Sequence, residues 1–121
     1  MAIIFDTKFE ANLLYVVTKG VDESLEEVQH YAASIIEVAK ENQTQNVLLD
    51  ERELEYRLGT VDTYQLAEFT ASIAPIIGKV ALVPNPKQID DARFYENVVS
   101  NRGVRIKAFK NTNKAIAWLK S

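Results

Sequence analysis

Cysteine is absent from this chain of 121 residues, and with it go disulfides, thiolate nucleophiles and cysteine-based metal sites. Histidine occurs once, as His30, so a histidine-based metal site or a Ser-His-Asp triad lacks support, and the residue reads as a surface or boundary position. The 4 glycines and 3 prolines are scattered at turns, and G-x-x-x-x-G-K-[ST], G-x-G-x-x-G and G-x-S-x-G are all missing. No apolar run is long enough to cross a bilayer. The start, Met1-Ala2-Ile3-Ile4-Phe5-Asp6, lacks the basic region and cleavage pattern of a signal peptide. These absences predict a cytoplasmic protein without integral membrane association, cofactor, metal or catalytic residues, and without enzymatic activity.

What is present is ordinary for a globular domain: 47% apolar and 26% charged residues. The length predicts one domain over residues 1–121, able to bury roughly two-thirds of the surface its unfolded form exposes. Charge is uneven. Residues 1–62 carry 13 acids and 5 bases, residues 63–121 carry 4 acids and 9 bases. The plain reading is solvated faces of segregated sign; the alternative is self-association or steering of a charged partner. Nucleic acid is excluded, because the domain is acidic overall and no basic run interleaves with aromatics.

Residues 3–9 alternate on a period of two and, after the turn-like Glu10-Ala11-Asn12, residues 13–18 continue as the second arm of a hairpin. From Ser24 the period becomes helical, with Leu25, Val28, Ala32, Ile35, Ile36 and Ala39 on one stripe and Ser24-x-x-Glu27 as a capping box. Asn46 to Asp50 reads as a strand, Thr60 to Ala74 as a helix that Pro75 ends. Lys79 to Val83 is apolar on both faces and therefore a central strand. Ile89 to Arg102 is a helix with Gly103 at its end, Val104 to Phe109 an edge strand, and Asn111 or Thr112 the cap of a final helix. The predicted class is α/β: a mixed, mostly parallel five-stranded sheet with four helices, in the order ββαβαβαβα.

One connection stands out. Glu51-Arg52-Glu53-Leu54-Glu55-Tyr56-Arg57-Leu58-Gly59 reads as a long charged loop after the Asp50-terminated strand, and loops at the carboxyl ends of parallel strands are where such sheets bind. Arg52 and Arg57 could hold an anion with Asp50 orienting them, or could simply pair with the surrounding glutamates.

The strand ending Leu48-Leu49-Asp50, within that order, resembles the STAS domain of the anti-sigma-factor antagonists. Phe94-Tyr95-Glu96-Asn97, the run Asn101-Arg102-Gly103-Val104-Arg105-Ile106 to Phe109, and Ala115-Ile116-Ala117-Trp118-Leu119 are similar to the small bacterial SpoIIAA-like, or STAS/SEC14-type, proteins. The resemblance covers nearly the whole chain and implies two uses. The antagonist side implies regulation through a protein partner, with a phosphorylatable serine in an Asp-Ser-x-Gly turn at the helix start. Here that start is Gly59-Thr60-Val61-Asp62-Thr63, without that serine or glycine, so Thr60 and Thr63 read first as cap residues and second as phosphosites. The predicted partner-binding segment is then Asp50, Arg52, Tyr56 and Arg57 with Thr60, Asp62 and Thr63, its partner another protein or a second copy of the chain. The SEC14-like side implies a carrier or sensor of a small lipophilic ligand. Its pocket would be formed by Tyr64, Leu66, Phe69 and Ile73 on one helix and Phe94, Tyr95 and Val98 on the next, residues that would equally serve a plain core.

Overall fold

In the computed structural model, which describes residues 3–73 and 78–121, the chain forms one five-stranded sheet in the spatial order β1-β2-β3-β4-β5. The strands are β1 (Ile3–Glu10), β2 (Leu13–Asp22), β3 (Asn46–Tyr56), β4 (Lys79–Pro84) and β5 (Ile106–Ala108), and the helices are α1 (Leu25–Glu41), α2 (Thr60–Ile73), α3 (Ile89–Ser100) and α4 (Thr112–Leu119). β1 pairs antiparallel with β2, and every later pair is parallel. The predicted order and the three interior strands are as the sequence implies. The expected helix end at Ala74 and Pro75 lies outside the described residues.

Local signals account for most element ends. Ala11 and Asn12 both take positive φ, the geometry a two-residue hairpin needs to match strand twist. Ser24 Oγ accepts the Glu27 amide at 3.3 Å, one half of the capping box, while the Glu27 carboxylate accepts the Ile3 amide. Gly103, at φ +89, closes the turn after α3. Asn111 Oδ1 accepts the Lys114 amide and starts α4. Thr63 departs from expectation: its hydroxyl donates to the Gly59 carbonyl at 2.9 Å rather than accepting a helix amide. The last strand is also shorter than residues 104–109, because only Ile106 to Ala108 stay in register with β4.

The principal correction concerns the charged stretch. Residues 51–56 are not a loop; they continue β3 and pair with the far end of β2, from Lys19↔Glu53 to Asp22↔Tyr56. The register slips between Val17 and Lys19, so that β3 carries an extra residue near Arg52. Such a bulge shifts the alternation by one. Val47, Leu49 and Glu51 face one side before it, and Leu54 and Tyr56 recover that side after it, with Glu51 and Leu54 buried. Past the end of β4, Gln88 replaces the missing strand: its side chain accepts the Tyr56 amide and donates to the Tyr56 carbonyl, both at 2.8 Å. The true connection is Arg57 to Gly59.

α1, α2 and α3 cover one face of the sheet, as successive crossovers of one hand require. Leu14, Val16, Val47 and Leu54 pack there against Val28, Tyr31 and Ile35 of α1 and Leu66 of α2. α4 covers the other face, where Ala115 and Leu119 meet Leu13, Leu48, Ala81 and Val83. Trp118 is half-buried against Phe109, with ring centroids 5.6 Å apart, while Lys79 Nζ lies 5.3 Å from its ring and donates to its carbonyl. Trp118→Ala is therefore expected to cost about 2–3 kcal/mol in urea unfolding, below the full-burial range, and a value under about 1 kcal/mol would mean the indole contributes no packing.

Candidate functional site

The three helices do not close fully on their face of the sheet. Between them and strands β2 to β5 lies a chamber of about 340 Å³. Its walls are chiefly apolar: Ile35 and Ile36 from α1, Leu49 and Leu82 from the sheet, Leu66 from α2 and Ala92 from α3. Well-packed interiors leave few voids larger than a water, and this one is at the lower end of the range of ligand sites. The exposed lining residues Arg57, Thr60 and Phe94 place its mouth between the β3–α2 connection and α3.

One wall is polar. Glu51, buried at 6% exposure, accepts the Tyr31 hydroxyl at 2.7 Å on one oxygen and the Tyr56 hydroxyl at 2.6 Å on the other. The fully buried Thr18 hydroxyl lies 2.7 Å from the Tyr31 oxygen and completes the chain. Burial pushes the Glu51 carboxyl above its ordinary range against the pull of the two tyrosines, and pushes both phenols far upward, with the Glu51 charge adding to each. Nearby, Asp22 accepts the Arg57 amide at 2.6 Å. Its carboxyl is pushed up to about 7, mainly by burial, with Glu51 and Asp91 adding repulsion and the Arg57 and Leu58 amides opposing. On α3, the Tyr95 hydroxyl pairs with Thr70 at 2.9 Å and burial lifts it to about 12. Among the described residues, no group of three or more His, Asp or Glu side chains could hold a metal, and no helix is long and apolar enough to cross a membrane.

The sequence-predicted residues divide between this chamber and the surface. Of the apolar set, Leu66, Phe94 and Tyr95 line the chamber. Tyr64 meets Phe94 edge-on at 5.7 Å, and Val98 is buried in the packing of α3 against Ala67 and Ile106. Phe69 and Ile73 lie outside the lining. Of the partner-binding set, Tyr56 turns inward, and Thr60 and Thr63 sit at the mouth with Arg57. Asp50 faces away and is bound by Arg52 through 2.7 and 2.8 Å contacts that hold its carboxyl below the usual range. Arg57 turns its guanidinium out to Glu55 and Glu23. Asp62, in the first turn of α2, is half-exposed. The two arginines therefore share no pocket.

Glu51, Asp22, Tyr31 and Thr18 escaped the sequence reading. The signal for Glu51 was the alternation Val47, Leu49, Glu51, which carries an acid onto the buried face. For Tyr31 it was the helical spacing Val28, Tyr31, Ile35.

No family model matches the chain, and no curated protein matches it either. Solved structures do. The crystal structure of an anti-sigma factor antagonist from Mycobacterium paratuberculosis superimposes with a TM-score of 0.63 at 11% identity, over 98% of this chain and 95% of that one. A protein of the DUF3478 family with a SpoIIAA-like fold, from Shewanella loihica, superimposes with a TM-score of 0.60 at 17% identity, over 98% and 94%. This chain has the SpoIIAA-like, or STAS, fold. At these identities the likeness concerns the backbone, so the use made of the STAS fold has to come from the side chains. In this STAS fold the bulged β3 sets Glu51 and Tyr56 on the chamber wall, and α1 supplies Tyr31 from above.

Proposed function

We propose that the protein is a non-enzymatic binding module that holds a small lipophilic molecule between the sheet and helices α1 to α3. The observation that carries this reading is the chamber: 340 Å³ of mainly apolar space with a single polar wall and a mouth at the start of α2. That is the composition of a site that buries a ligand and orients it by a few polar groups. The charged stretch that suggested a partner-binding loop is a paired strand, so its length no longer calls for a functional reason. A second reading keeps a protein partner. Val61, Tyr64 and Phe94 are exposed, at 69%, 44% and 37%, and Tyr64 packs on Phe94, which lines the chamber. A ligand entering there would alter the surface that such a partner meets.

The test is thermal unfolding with phenylbutanol, an uncharged probe of suitable size, alongside native mass spectrometry of freshly purified protein. Binding to the folded state contributes about 2.7 kcal/mol at a hundredfold excess over Kd, which should raise Tm by several degrees. Ala32→Phe, which places a ring into the chamber from α1, should keep the fold and abolish the shift. No shift in the parent protein and no co-purified mass would end the ligand reading and leave the partner surface.

A further inference from the structure

We propose that the chamber selects a small apolar amine, whose ammonium group seats against Glu51. The inference rests on the chamber reading above and adds the chemistry of the ligand's polar end.

The polar wall offers acceptors and almost no donors. The Tyr31 and Tyr56 hydroxyl hydrogens are both committed to Glu51, and the Thr18 hydroxyl supplies the Tyr31 oxygen. A carboxylate has about four acceptor positions, of which these contacts use two, so each Glu51 oxygen keeps one direction for a further donor. The ionisable lining is acidic: Glu51, Asp22 and Asp91, joined by the phenols Tyr31, Tyr56 and Tyr95. Among the described residues Arg57 is the one basic residue in that lining, and its guanidinium is 2.7 Å from Glu55 and 3.4 Å from Glu23, turned to solvent. Glu51 has no ion pair among the described residues.

A buried carboxylate without a cation is unfavourable unless something compensates it. An ammonium does so, donating charge-assisted hydrogen bonds to Glu51 and meeting the aromatic rings that surround it. A carboxylate or phosphate ligand would find no cation turned toward it among the described residues and would face three acids. The size is bounded as well. At about 30 Å³ per water-sized group the space holds roughly ten to fifteen non-hydrogen atoms, which suits an arylalkyl or medium alkyl amine and excludes a long-chain lipid.

Three probes of equal bulk separate the alternatives: phenylbutylamine, phenylbutanol and phenylbutyrate, titrated into the protein by calorimetry in mildly alkaline buffer. The amine is expected to bind about tenfold tighter than the alcohol, and the acid at least about tenfold weaker than the alcohol. Glu51→Gln should bring the amine to within about threefold of the alcohol, both probes being measured on that variant. If that variant fails to fold, the order of the three probes on the parent protein decides alone. An amine no tighter than the alcohol, or an acid that matches the amine, overturns the proposal while the chamber reading stands. If none of the three binds, both fall.

Discussion

Leu54→Ala is expected to destabilise the protein by about 3–4 kcal/mol, read as a lower urea midpoint at unchanged slope. Leu54 is 2% exposed and packs in the cluster of Leu14, Val16, Val28 and Tyr31. Truncation removes the transfer free energy of the side chain and leaves a hole whose cost depends on how far neighbours can collapse. Here the hole would merge with the chamber that Leu54 already borders, and pairing with β2 on one side and the Gln88 bonds to Tyr56 on the other prevent the backbone from following. A residue on an exposed charged loop would lose less than about 1 kcal/mol. A loss that small would mean that the second half of β3 contributes little to the core.

The second large effect is on the pH profile, and it comes from Asp22. Its carboxyl is pushed up to about 7 in the folded chain against 3.8 when free. Between those values the native state holds a proton that the unfolded chain has released. The associated stability is therefore complete below about pH 4 and is lost as pH rises through about 7. Three units correspond to an upper bound of about 4 kcal/mol, and solvent near the chamber mouth reduces it to roughly 2–4. Tm should therefore fall between pH 5 and pH 8, with Glu51, shifted in the same direction by its burial, adding to the slope. Asp22→Asn keeps an oxygen for the Arg57 amide and cannot ionise, so it should flatten much of the slope and exceed the parent protein's Tm at pH 8. A profile already flat over that range, or one unchanged by the substitution, would show that Asp22 ionises freely in the folded protein.

Both residues belong to the part of the molecule that periodicity does not reveal. Before the bulge, Val47, Leu48 and Leu49 announce a strand, because apolar side chains on both faces suit a sheet covered on both sides. After it, Glu51, Arg52, Glu53 and Glu55 crowd the sequence with charge, and the extra residue breaks the period of two on which a strand is recognised. Leu54 and Tyr56 fall within the stretch that reads as a loop, although they are three and five residues beyond Glu51 and share its face. The pairing that makes this stretch a strand is made with Lys19 to Asp22, more than thirty residues away, and no local window contains it.

The sequence by itself determined the element order, the hairpin turn, the caps at Ser24 and Asn111, the glycine in the turn after α3, and the three interior strands. Each is set by contacts within a few residues or by the face a side chain must turn toward the core. Tertiary structure alone decided where the chamber lies. A chamber is a property of how far three helices stand from a sheet. A buried carboxylate held by tyrosines from α1 and β3 exists only once the crossover has brought residues 31, 51 and 56 together. Charge on a residue states its preference for water; whether Glu51 reaches water was settled by the face that β3 turns toward the helices and by α1 packed above it.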